Sequence, residues 1–439
     1  MRAIFEQFTA FVKSSYSRTT FSREAGFCYN VAQSQTRRSA EFIMHTFSHI
    51  FTALSVRFRA TVLLIVAGTL VLAACSSNPN PTRVPPTRTP KPTFTLVADS
   101  PTPLSSPTPL PSPTATNTLQ PTATATPNPY FNPLTGELVD DLEQLQRRPL
   151  LVRIGNDREV RPQSGLSQAD VVFEEVMDGW SLTRFTAVIW SKDPEELRPI
   201  RSARLFTIDL GHMFDGALVH SGANDDVRWR ISQTSLTDLD EYFHPSPYYW
   251  LEPEGKWEDY PWMGRVATSS QRLRDYLAKK GMEQAVRLSG FTFSAEADPP
   301  PQGQPAVYVL IPFPKRALVE YRYDPELHLY KRFTEGEPHT DALNGEQLTA
   351  ANVIVHYAVY QETDVVDVLG APTFNVVFQG EGRAQIFRDG LMIEAKWVRP
   401  GQQDFVSYVY LDGSPVPLRP GQTWIEVVST DYEITHSAE

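Results

Sequence analysis

Two cysteines, Cys28 and Cys75, are all that 439 residues supply. Both precede the part of the chain with folded texture, which starts near Tyr130, so that part has no thiolate nucleophile, no disulfide and no cysteine metal site. A papain-like or cysteine-transpeptidase mechanism is excluded. Long apolar runs are scarce too. Val62–Ala74 is 13 residues, about 20 Å as a helix, whereas a membrane span needs roughly 20 apolar residues. Positive charge is in deficit, with 40 basic against 51 acidic side chains; residues 75–439 keep 32 against 48, a formal charge of −16. That balance argues against nucleic acid and anionic lipid surfaces as general partners. Familiar catalytic strings are missing as well: there is no HExxH, no GxxxxGK and no Ser-x-x-Lys, and Ser221 beside His220 lacks the GxSxG elbow.

What is present first is an export signal. Arg57 and Arg59 flank the apolar run, and Leu72-Ala73-Ala74-Cys75 closes it just before Ser76. A basic flank, an apolar core and small residues make a secretory signal, not a span. A cysteine at the cleavage position resembles the lipobox of bacterial lipoproteins, which implies lipidation of Cys75 and a mature chain that begins there. The expected location is extracytoplasmic, lipid-anchored on the outer face of the cytoplasmic membrane. Residues 1–74 are then the signal segment, and the pattern fits a start at Met44, with 1–43 a start-site artefact. Residues 75–130 follow as the lipidated cysteine and a stalk. Ser76–Pro129 holds 15 of the 37 prolines, which favour polyproline II or coil, so the stalk is expected to be disordered, with a reach of up to roughly 170 Å.

The remaining chain reads as α+β, with a mixed α/β domain over 131–295 and a β-rich antiparallel domain over 302–435. Leu150–Ile154, Val171–Val176, Phe185–Trp190 and Ala217–His220 are apolar runs of strand type, and Leu205–Phe214 has helical spacing. Thr268–Lys280 is the clearest helix, with Leu273 and Leu277 four apart and Gly281 as its stop. Ser221–Asp226 reads as a polar loop. After Pro299-Pro300-Pro301 the chain is strand upon strand, from Val307–Ile311 through Asn352–Val359 and Leu391–Val398 to Thr423–Val428.

Several strings are specific. Arg147-Arg148-Pro149-Leu150, Arg161-Pro162-Gln163-Ser164-Gly165-Leu166-Ser167-Gln168-Ala169-Asp170, Gly179–Phe185 and Pro199-Ile200-Arg201-Ser202-Ala203-Arg204 resemble the first half of the YerB-like lipoproteins, a bacterial family of unknown function. Tyr330-Lys331-Arg332, His339-Thr340-Asp341, Trp397-Val398-Arg399 and Pro420–Ile425 match its second half. The resemblance covers about Pro133–Thr435 and implies a secreted two-domain lipoprotein with no established reaction. The turn after His220 departs from it: relatives tend to be glycine-rich there, and Ser221-Gly222-Ala223-Asn224 has one glycine.

The candidate site residues follow from chemistry. Arg184, Arg201 and Arg204 could grip a carboxylate or phosphate with paired hydrogen bonds; the competing reading pairs Arg201 and Arg204 with Glu174 or Asp170 inside the fold. Trp397 and Trp424 are candidate stacking faces for sugars, against a core role. Glu174, Asp226 and His220 are the catalytic candidates. Glu174 and Glu175 leave opposite faces of a strand and make no carboxylate pair alone. Asn224-Asp225-Asp226 suits solvated turn chemistry better than calcium, and His328, His339 and Asp341 match no ligand spacing, so neither metal nor cofactor is expected. The role expected is binding or scaffolding at the cell envelope, with the membrane as anchor and a cell-wall polymer or envelope protein as partner. The alternative is a hydrolase of peptidoglycan or another wall glycan.

Overall fold

A computed structural model describes residues 131–294, 303–314, 317–367 and 370–439. The signal segment, Cys75, the stalk and the Pro299–Pro301 break lie outside the described residues. The apolar runs form strands because β-branched and aromatic side chains suit a pleated sheet covered on both faces. In the first half these are β1 (Leu150–Gly155), β2 (Val171–Val176), β3 (Thr183–Ile189), β4 (Ala217–His220), β5 (Thr237–Asp240) and the short pair β6 (Tyr249–Trp250) and β7 (Val266–Ala267). The second half adds β8 (Gln304–Pro305), β9 (Tyr308–Ile311), β10 (Val319–Asp324), β11 (Leu329–Thr334), β12 (Glu337–Pro338), β13 (Thr349–Ala350) and β14 (Asn352–Ala358). It continues with β15 (Tyr360–Val366), β16 (Pro372–Val376), β17 (Gly380–Arg388), β18 (Leu391–Arg399), β19 (Ser407–Val409), β20 (Thr423–Ser429) and β21 (Thr435–Ser437).

Among the described residues the α-helices all fall in the first half: α1 (Leu205–Phe214), α2 (Asp225–Ser232) and α3 (Ser270–Lys280). The chain is thus α+β, helix-bearing first and strand-rich second. α3 starts where Ser269 accepts from the Arg272 N–H at 3.2 Å and stops at Gly281, which adopts the left-handed conformation. α2 replaces the expected end of a loop, because Asn224 caps it by accepting from the Val227 N–H at 2.8 Å.

The two halves share one sheet. β20 lies between β2 and β14, parallel to both, so strands from both halves run in the order β19-β18-β17-β14-β20-β2-β3-β1-β4-β5. A second sheet, β12-β11-β10-β9-β21, packs on one face, where Tyr321, Val319 and Val309 meet Val172, Phe185 and Trp424. α1 covers the other face, with Phe206, Leu210 and Phe214 against Phe173, Leu151 and Ile425. Alternation along β2 sends Glu174 toward the second sheet and Glu175 toward α1.

This packing corrects the reading of the tryptophans as sugar platforms. Trp397, 3% exposed, stacks on His356 at 4.5 Å and donates its indole N–H to the Tyr357 carbonyl. Trp424 is fully buried, with the Arg332 guanidinium 4.5 Å from its ring. Both occupy strand positions that alternation turns inward. Burial, with a smaller contribution from Arg399, pushes the His356 pKa down to about 3. Between about 3 and the unfolded value near 6.5 only the unfolded chain takes up this proton, so stability is lost as pH falls through that window. His356 alone is expected to cost about 2 kcal/mol at pH 5 relative to pH 7.5. Urea denaturation of wild type and His356→Gln at both pH values measures this, and the variant is expected to show the smaller pH dependence.

Candidate anion site

The carboxyl ends of β1, β4 and β5 lie side by side, because these three strands are parallel neighbours. In open α/β sheets this edge is where ligands are held. The segment Arg201–Arg204 crosses it. The Arg201 N–H donates to the Arg153 carbonyl at 2.9 Å, the Ser221 N–H to the Arg201 carbonyl at 3.1 Å, and the Ala203 N–H to the Gly222 carbonyl at 3.0 Å. Gly155 is required here: a Cβ would stand 2.6 Å from Arg201 Cγ. Gly222, the single glycine kept after His220, has φ +81°, a conformation that excludes most side chains.

Four arginines converge on the α1 face of this edge. Arg153 meets Glu175 at 2.6 Å, Arg204 meets Asp178 at 2.5 Å, and Arg201 meets Asp157 at 3.6 Å. Arg184 has no carboxylate within ion-pair distance among the described residues. It is 3% exposed, its Nε has no partner among the described residues, its Nη1 donates to the Ser202 carbonyl at 3.4 Å, and its cross-strand neighbour Glu175 is held by Arg153. Burial, followed by Arg201, Arg204 and Arg153, presses the Arg184 pKa well below the usual arginine range. Burial also lowers that of Arg204, against the pull of Asp178, and raises that of Glu175, against the pull of Arg153. The first turn of α1 carries no acidic residue and its N-cap is Arg204, so the positive end of the helix adds to the unmet charge. Four guanidinium groups, those of Arg153, Arg184, Arg201 and Arg204, thus face the three carboxylates of Glu175, Asp178 and Asp157.

The expectation that Arg201 and Arg204 pair with Glu174 or Asp170 is corrected. Glu174 points through the opposite face of the sheet, and Asp170 is used elsewhere: it accepts from the Trp190 N–H at 2.8 Å, the Ser191 N–H at 3.0 Å, the Ser191 hydroxyl, and Asn132 Nδ2 at 2.6 Å. Asp157 and Asp178, which the sequence reading passed over, are the actual partners.

The catalytic candidates do not come together. Glu174 is sealed between the sheets, where it receives Arg332 Nη2 at 2.6 Å, Asn156 Nδ2 at 3.2 Å and the Thr183 hydroxyl. Arg332 also donates to Glu426 at 3.0 Å, the residue beside Glu174 in register. Burial works against the Arg332 charge, but Glu174, Tyr321 and Glu426 outweigh it and hold its pKa above the ordinary range. Burial and then the neighbouring Glu174 carboxylate push the Glu426 pKa well above the usual carboxylate range, against the pull of Arg332. His220 is buried, bonding Asp238 at 2.7 Å and the Gly222 carbonyl at 3.0 Å. Asp226 is exposed in the first turn of α2. His339 contacts Gln163 at 2.8 Å, Asp341 accepts from the N–H groups of Gly165 and Ser167, and His328 lies in an exposed contact with Tyr323.

The string Arg161–Asp170 therefore joins the halves: Gln163 and Gly165–Ser167 are tied to His339 and Asp341, and Gln422 donates to the carbonyls of Leu166 and Ala169. The string Arg201–Arg204 crosses the candidate anion site. A strand-rich chain of two interlocked halves carrying both strings defines the class, and the chain belongs to the family of proteins of unknown function DUF3048, whose N-terminal domain matches residues 134–283 and whose C-terminal domain matches residues 309–425. Among relatives, it is 27% identical over 302 residues, 67% of this chain and 85% of the other, to "Putative lipoprotein YerB" of Bacillus subtilis (strain 168). The crystal structure of the YerB protein from Bacillus subtilis aligns with a TM-score of 0.59 at 26% identity, covering 70% of this chain and 99% of that one.

Proposed function

We propose that this chain is a lipid-anchored extracytoplasmic binding protein that holds an anionic group of an envelope ligand between Arg184, Arg201 and Arg204. The observation that carries the reading is Arg184, a buried guanidinium opposite Glu175 in register but with no carboxylate within ion-pair distance among the described residues. A buried unpaired charge costs stability, and a ligand that neutralises it offsets that cost. Arg184→Met is accordingly expected to stabilise the free protein by about 1–3 kcal/mol while weakening inorganic phosphate binding at least tenfold. Thermal unfolding and titration calorimetry on the full chain in detergent read the two effects. A variant that is less stable, or that binds phosphate as wild type does, contradicts the proposal.

The Leu72–Cys75 motif and the likeness to the Bacillus subtilis lipoprotein relative support the anchor. Cys75→Ala is expected to move most of the protein from the membrane to the soluble fraction and to abolish palmitate incorporation. A hydrolase built on Glu174 draws no support, since Glu174 is fully buried against Arg332 while Asp226 is exposed in α2.

A further inference from the structure

The anion site has an aromatic rim. Tyr242, Phe243 and Trp250 are 71%, 60% and 45% exposed, and they follow β5 at the same edge of the sheet. The link to the arginines is continuous. Asp240 accepts from the Gly222 N–H at 3.0 Å, from the Tyr242 N–H at 3.1 Å and from Arg228 Nε at 2.8 Å. Gly222 in turn holds Ala203 of the arginine segment. Glu241 accepts from the Trp250 indole at 3.1 Å and from the Ser221 hydroxyl at 3.3 Å, which fixes the indole beside the loop that borders the arginines. Arg228 lies 5.3 Å from the Tyr242 ring centre and 5.7 Å from that of Phe243, and so orders the pair.

Flat exposed rings beside carboxylates suit one chemistry. The C–H face of a pyranose stacks on an aromatic ring, and its hydroxyls donate to acids such as Glu241 and Asp238. An anionic membrane surface is disfavoured, because Asp238, Asp240 and Glu241 sit among these rings and the chain as a whole is acidic, at −11. A single anionic substituent would instead meet Arg201 and Arg204, whose side chains are 19% and 18% exposed at this edge.

We propose that the ligand is an anionic glycan, whose rings stack on Tyr242, Phe243 and Trp250 while its carboxylate or phosphate is held by Arg184, Arg201 and Arg204. The inference rests on the anion-site reading and adds the class of ligand. The test is titration calorimetry of the full chain in detergent against four probes: inorganic phosphate, an oligogalacturonate, a phosphorylated oligomannose and a neutral oligomannose of equal length. At least one charged oligosaccharide is expected to bind tenfold or more tighter than both phosphate and the neutral sugar, and which one distinguishes carboxylate from phosphate. Trp250→Ala and the double variant Tyr242→Ala/Phe243→Ala are expected to lose tenfold on that oligosaccharide and less than twofold on phosphate. Leu327→Ala, an exposed apolar change on the hairpin of the second sheet, should alter neither. Equal binding of charged and neutral sugars, or rim variants that bind the charged sugar as wild type does, overturns the glycan proposal while phosphate binding keeps the anion site. Loss of phosphate binding from wild type itself removes both.

Discussion

Arg332→Met is expected to cost the folded chain about 3–5 kcal/mol. The guanidinium is fully buried and serves Glu174, Glu426, Tyr321 and His339 at once. Glu174 and Glu426 stand opposite each other in register and share this one guanidinium, so removing Arg332 leaves the Glu174 carboxylate without its cation. Breaking a buried pair from one side is expensive because the remaining charge is left without water or partner. Adding Glu174→Gln to Arg332→Met removes that charge, and the double variant should recover more than half of the loss. Urea midpoints measure both. A single variant that loses under about 1 kcal/mol, well below the range for a broken buried pair, contradicts the role given to Arg332.

Asp170→Ala is expected to cost about 3–4 kcal/mol, since it orphans the N–H groups of Trp190 and Ser191 and the Asn132 amide, at roughly 1–3 kcal/mol for each buried donor left unpaired. Asp170 precedes β2 at the end away from Glu175, about 16 Å along the strand. Phosphate affinity should therefore stay within twofold of wild type. A large loss of affinity with intact folding would place Asp170 in the anion site, contrary to its observed bonds.

The strands of this protein were legible because most are dense in Val, Ile, Phe and Tyr. β17 was not, since Gly380, Glu381, Gly382 and Arg383 open it with residues that usually end strands, and pairing with both β14 and β18 overrides that preference. α2 was hidden by its polarity: of its eight residues only Val227 and Ile231 are buried. The sharing of one sheet had no local signal, because β2 and β20 are some 250 residues apart and parallel.

Arg184, Arg201 and Arg204 were visible as candidates, but their carboxylates were not. Pairs such as Arg332 with Glu174, 158 residues apart, depend on which strands become neighbours. A usable clue lay in charged residues set inside apolar runs: Arg153 in Leu-Leu-Val-Arg-Ile, Glu174 and Glu175 in Val-Val-Phe-Glu-Glu-Val, and Glu426 in Trp-Ile-Glu-Val-Val. Each is buried, and a charge with apolar neighbours on both sides must find a partner from elsewhere in the fold. The aromatic rim gave no such clue, because exposed and core rings look alike in one dimension.

The central claim is that an anion belongs beside Arg184, and locating one there tests it most directly. Crystals of the protein soaked in tungstate are predicted to show an anomalous peak within hydrogen-bonding distance of Arg184 and of Arg201 or Arg204, absent from Arg184→Met crystals. Tungstate bound only at other sites, or a peak that persists in the Arg184→Met crystals, would contradict it.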